Sequence, residues 1–94
     1  MEVSAVRRFD AEVAATLAKA KSNGIRKPFV VEFLRAGACD PRDWMSYAAS
    51  EVPAPRTYEE AEAFALANMG RGRARIRIRT YRDHGPVVAE FFPE

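Results

Sequence analysis

Arginine occupies every second position from Arg71 to Arg79, within the stretch RGRARIRIRTYR spanning residues 71–82. Six of those twelve residues are arginine and none is acidic. A guanidinium is a permanent cation with a planar fork of donors, suited to phosphates, carboxylates and aromatic faces. The row therefore suits three uses. It could grip the phosphates of RNA or single-stranded DNA while aromatic rings stack on bases. It could anchor a protein interface, where arginine and aromatic residues are enriched. Or it could be the wet face of a strand that discourages aggregation.

Other residues with reactive side chains lack company. The one histidine, His84, falls in a turn sequence, RDHG. The one cysteine, Cys39, has Asp40 and Asp43 near it but no metal-ligand spacing and no cation to activate a thiolate. Glu59, Glu60 and Glu62 resemble a set of paired acids, yet Thr57 and Glu60 spell a capping box, T-x-x-E, and the other two suit a solvated helix face. Gly70-Arg71-Gly72-Arg73 looks friendly to phosphate, but it follows a helical pattern instead of opening one. No catalytic residue, metal site or cofactor is expected, and the chain reads as non-enzymatic.

The arginines must sit on an element of period two. Arg71, Arg73, Arg75, Arg77 and Arg79 share one side of a strand, and Tyr81 continues it. Ala74, Ile76, Ile78 and Thr80 take the other. Burying unpaired guanidinium groups costs several kcal/mol each, so the isoleucines must face the core and the arginines the open side. Neighbouring strands supply the rest of that side. PFVVEFLR (28–35) reads as a strand with Phe29, Val31 and Phe33 inward and Val30, Glu32 and Leu34 outward. PVVAEFF (86–92) reads as a strand opened by Pro86, with Val87, Ala89 and Phe91 inward and Val88, Glu90 and Phe92 outward. The expected binding set is Arg71, Arg73, Arg75, Arg77, Arg79, Tyr81 and Phe92, mixed with Glu32 and Glu90.

Two helices flank these strands. Phe9, Val13, Leu17 and Ala20 recur at helical spacing before the stop Asn23-Gly24. Tyr58, Ala61, Phe64, Ala65 and Met69 form a second stripe, ended by Gly70. The segment 44–52 is ambiguous. Trp44, Tyr47 and Val52 favour a strand pairing back on residues 29–35, whereas Asp40, Pro41 and Asp43 could cap a short helix. Trp44 is expected in the core. The order α-β-β-α-β-β predicts an α+β two-layer sandwich, a four-stranded, mostly antiparallel sheet with two helices on one face.

The 94 residues suffice for a single domain, residues 1–94. Net charge is +2, but residues 71–82 carry +6 while residues 51–70 and 83–94 carry −3 each. Long-range attraction of polyanions is therefore modest. No apolar run is long enough to span a membrane, and MEVSAVRRFD has no signal-peptide core, so a cytoplasmic location is expected. Twelve arginines against three lysines, with seventeen alanines, is a bias of GC-rich bacterial or bacteriophage coding. The leading expectation is a small protein that docks stoichiometrically on a larger protein or nucleoprotein partner. An inhibitor of a nucleic-acid machine, of the anti-CRISPR kind, is its specific form. The alternative is direct RNA or single-stranded DNA binding through the arginine side, and an exposed final strand leaves room for a homodimer.

Overall fold

The computed structural model describes residues 3–46, 54–81 and 84–93. Its elements are β1 (Val3–Arg7), α1 (Ala11–Ser22), β2 (Phe29–Leu34), a 3-10 turn (Pro41–Asp43), β3 (Met45–Ser46), α2 (Tyr58–Asn68), β4 (Arg73–Arg79) and β5 (His84–Pro93). The strands form one antiparallel five-stranded sheet in the order β1-β5-β4-β2-β3. The α+β class matches the expectation, with one strand more than the four read from sequence. The extra strand is β1, whose residues Ser4 to Arg7 are all exposed. Val3 packs against the core, and a strand with one such contact carries no hydrophobic alternation, which is why VSAVR gave no signal.

Because β1 covers it, β5 is not an edge. The reading of the final strand as exposed is thereby corrected, and with it the room it left for a homodimer there: β5 pairs with β1 on one side and β4 on the other.

The helices begin and end where the caps predict. Asp10 accepts from the Val13 N–H, and Gly24 follows the C-cap Asn23 with φ +80°. Phe9 precedes the cap and is exposed; its ring meets Tyr58 edge-on at 5.0 Å. For α2, Thr57 Oγ1 accepts from the Glu60 N–H, and Glu60 reaches back to the Arg56 N–H. Glu62 is not simply solvated, because it pairs with Arg7.

Both helices lie against the strands on the side of Ile76, Ile78, Val31, Ala89 and Phe91. Ala61 and Ala65 of α2 are fully buried there, small enough to let the helix approach the sheet closely.

Residues 40–46 contain a piece of each alternative. Asp40 caps a single 3-10 turn with Pro41 at its start, and Met45–Ser46 then pairs with Phe33 and Glu32. Tyr47, Val52 and the remainder of that segment lie outside the described residues, as do Arg82 and Asp83 of the last turn.

Two register shifts on β5 overturn part of the expected facing. Ile76 pairs with Ala89, but the next partners are Arg77 and Val87, so Val88 is an extra residue. Val88 and Ala89 are both completely buried and belong to the core, while Val87 moves opposite Arg77. Simple alternation assigned Val87 and Val88 the other way round. A bulge places two consecutive residues against one partner, so the period of two fails there. The second shift lies between Val87 and His84. Pro86 sits inside β5 at that irregularity and does not open the strand, a position where its missing N–H breaks no regular ladder.

Candidate functional site

Ala74, Ile76 and Ile78 are completely buried, so Arg73, Arg75, Arg77 and Arg79 project from the opposite face. In register, Arg73 lies opposite Leu34 of β2, Arg75 opposite Glu32 and Arg77 opposite Val30. That neighbouring strand is not the exposed flank expected from sequence. Val30, Glu32 and Leu34 are buried at 4%, 5% and 3% exposure. Long arginine stems can lie across apolar neighbours and exclude water from them. Arg75 leans toward β2 in this way, while Arg73 reaches Phe92 of β5 and Arg77 bonds the β5 backbone as well as approaching Glu32.

Glu32 is the hub of those contacts. Arg75 Nε donates to Glu32 Oε1 at 2.6 Å, and Arg77 Nη1 stands 3.7 Å from the same oxygen. Ser46 Oγ donates to Oε2 at 3.3 Å, and His84 Nδ1 is 3.5 Å from it. Burial pushes the Glu32 carboxyl up. The hydrogen bond from Arg75, with the charges of Arg75, Arg77 and His84, outweighs it and holds the group below its ordinary value. Arg77 also donates from Nε to the Gly85 carbonyl at 3.0 Å and from Nη2 to the His84 carbonyl at 3.1 Å. Its head fills the place where the β5 register shift interrupts the ladder.

Arg73 is held differently. Its guanidinium lies 4.4 Å from the Phe92 ring centroid and 5.6 Å from that of Trp44. Arg75 covers Trp44 as well, at 4.1 Å. Trp44 is thus half-buried on the arginine side, not in the core where its size suggested. The result is a stacked row, Phe92, Arg73, Trp44 and Arg75, that crosses the sheet from β5 to the residue before β3. Each cation lies within the roughly 6 Å over which the ring quadrupole attracts it.

The row ends in exposed groups. Arg79, Arg71 and Tyr81 are exposed, and among the described residues neither arginine makes an ion pair. Glu90 lies opposite Arg75 on β5, and Arg8 approaches it at 3.9 Å. Met45, beside Trp44, is 71% exposed.

The expected binding residues therefore divide into three. Arg75 and Arg77 are engaged with Glu32 and the β5 backbone. Arg73 and Phe92 belong to the stack. Arg71, Arg79 and Tyr81 are outward and accessible. Sequence reasoning missed Trp44 as a stacking partner, Ser46 and His84 as neighbours of Glu32, and the burial of Glu32 itself. The available signal was a lone acid within an apolar strand, which needs a cation wherever it is covered.

The reactive side chains outside this face stand apart among the described residues. Cys39 is exposed and free in the loop 35–43, and Asp40 beside it is occupied by the Arg42 backbone and side chain. Among the described residues no three His, Cys, Asp or Glu side chains converge to hold a metal. No helix among them is long and apolar enough to cross a membrane. No family model, no curated protein and no solved structure matches this chain.

Proposed function

We propose that this protein acts by binding, docking stoichiometrically on a larger protein or nucleoprotein partner through the arginine side of its sheet. One observation carries the reading: Arg73 lies over both Phe92 and Trp44, and Arg75 lies over Trp44 as well. Arginine and large aromatics dominate binding energy at interfaces. Here they are already ordered on a rigid sheet, so association immobilises few side chains. Exposed Arg79 extends the surface along β4. The uncompensated cations Arg71 and Arg79 favour a partner with acidic groups. The mechanism is occlusion of a functional surface on that partner. An inhibitor of a nucleic-acid machine, of the anti-CRISPR kind, is the form that the arginine-rich composition favours.

Direct binding of RNA or single-stranded DNA is the rival. It called on Arg73, Arg75, Arg77 and Arg79 for phosphates, and Arg75 and Arg77 already hold Glu32 and backbone carbonyls. The rival must work through Arg71 and Arg79 with Tyr81 as a platform.

Two parallel measurements separate these. Immobilised wild type and the Trp44→Ala/Arg73→Ala variant are compared for protein capture from bacterial lysate, after circular dichroism shows that the variant is folded. The docking reading requires a partner retained by wild type and lost by the variant; equal recovery by both sinks it. Titration of a fluorescent random oligonucleotide across a salt series tests the rival. Tight binding that weakens steeply with salt, and is lost in Arg71→Ala/Arg79→Ala, would establish the rival instead.

A further inference from the structure

Among the described residues no strand pairs with the outer side of β1, and the geometry of that edge selects a partner. Arg8 donates its N–H to the Val88 carbonyl at 2.7 Å. Backbone groups of alternate residues in an antiparallel strand point to opposite sides. Ser4, Val6 and Arg8 thus face β5, and Val3, Ala5 and Arg7 turn their N–H and C=O groups outward. The pairing of Val3 with Pro93, which has no N–H, obeys the same phase.

β1 is regular, and Arg7 is its one charged side chain. Its register against β5 is continuous from Val3 to Arg7, with no proline, lysine or bulge, the usual protections of an exposed edge. Ala5 points toward the helix side yet is exposed, although Val3 packs on the core and Arg7 reaches Glu62 of α2. Val6 on the arginine side is 45% exposed. At the opposite end of the sheet, β3 offers two residues only.

We propose that β1 pairs antiparallel with β1 of a second copy about a two-fold axis at Ala5, joining the two sheets into one. This inference is independent of the docking face. The register follows from which groups are free. Centring on Ala5 opposes Ala5 to Ala5 and Val3 to Arg7 of the copy, so every outward residue meets another outward residue. All three residues of each strand bond, giving about six hydrogen bonds. Sliding by two residues leaves Val3 without a partner in β1. The same register sets Ser4 against Val6 of the copy, covering the exposed valine, and it keeps Arg7 from facing Arg7 across the axis. Arg7 stays with its own Glu62. The pairing is small, below the roughly 1,000 Å² of a stable interface, so association depends on concentration.

Sedimentation velocity from about 1 µM to about 1 mM is the test, on the scale where weak association is read. The expected result is a rise from the 10.5 kDa monomer toward twice that mass. Ala5→Pro removes an N–H that β5 does not use, so it keeps the fold and stays monomeric throughout. Amide hydrogen exchange of the wild type locates the contact without any substitution. Exchange at Ala5 and Arg7 should slow about tenfold where nine-tenths of the protein is dimer, with Ser4 and Val6 protected at every concentration. A wild type that stays monomeric overturns the proposal. So does an Ala5→Pro protein that dimerises, or a dimer in which Ala5 and Arg7 exchange at the monomer rate.

Discussion

Arg75 Nε donates to Glu32 Oε1 at 2.6 Å across the β4–β2 pair, and Glu32 is 5% exposed. The pair faces the side of the sheet opposite the helices, so a charged contact seals a surface that would otherwise be apolar. A buried ion pair contributes little relative to well-packed apolar groups, but breaking it strands a charge. Arg75→Ala is expected to lower stability by about 3 kcal/mol. Glu32→Leu/Arg75→Met, which removes both charges at similar volume, should come out within about 1 kcal/mol of wild type. Urea denaturation of the three proteins checks this. A double variant less stable than Arg75→Ala would show that the contact stabilises beyond its own charges.

The same carboxyl gives stability a pH dependence. Its folded pKa lies below the ordinary value of 4.5 because Arg75, Arg77 and His84 favour the ionised form. The unfolded chain therefore takes up a proton first as pH falls. The stabilising contribution is complete above about 4.5 and is lost as pH drops through the lower folded value. Thermal melts of wild type and Glu32→Gln should accordingly differ most near neutral pH and converge in acid. A gap that stays constant down to pH 2 would exclude ionisation of Glu32 as its source.

Much of this architecture is legible in the chain. Strict alternation of arginine with Ala74, Ile76 and Ile78 gives the facing of β4, because one side must be dry. Thr57 and Glu60 mark the start of α2 through a local bond that needs no tertiary context. The missing parts depend on register and on absent contrast. Val87 and Val88 are identical to any pattern rule, and only the bulge against Arg77 decides which is buried. Trp44 has the size of a core residue, but the β3 pairing beside it aims the ring at Arg73 and Arg75. Glu32 could be placed among arginines from its position, whereas its burial depends on which way those side chains lean.

The stack of Trp44 and Arg73 makes a separate energetic claim. Cation–π contacts at partly exposed sites are worth about 0.5–1 kcal/mol and more when desolvated. A double-mutant cycle with Trp44→Ala and Arg73→Ala should return a coupling of about 0.5–1 kcal/mol. As the one tryptophan in the chain, Trp44 also reports directly. Its fluorescence should change on Arg73→Ala and remain unchanged on Arg79→Ala. Additive losses in the cycle, with an unmoved spectrum, would mean that the rings and the guanidinium are neighbours without attraction.

Two glycines close in sequence should respond very differently to a methyl group. Gly70 ends α2 with φ +55°, and a Cβ there meets nothing within 4 Å. Gly70→Ala therefore meets only left-handed backbone strain, about 1–2 kcal/mol. Gly72 is outside the left-handed region but lies where the start of β4 passes the end of β2. A Cβ at that position would stand 2.2 Å from the Leu34 carbonyl oxygen and 3.1 Å from Arg35 Cα. Backbone, not a flexible side chain, is what obstructs it, so relief requires separating the strands that hold Glu32 against Arg75. Gly72→Ala is expected to cost about 3 kcal/mol or more, within the range of the severe single substitutions. It should also expose Glu32 and weaken the acid sensitivity described above. Chemical denaturation of both variants orders them, and a Gly72→Ala protein as stable as Gly70→Ala would refute the close approach of these two strands.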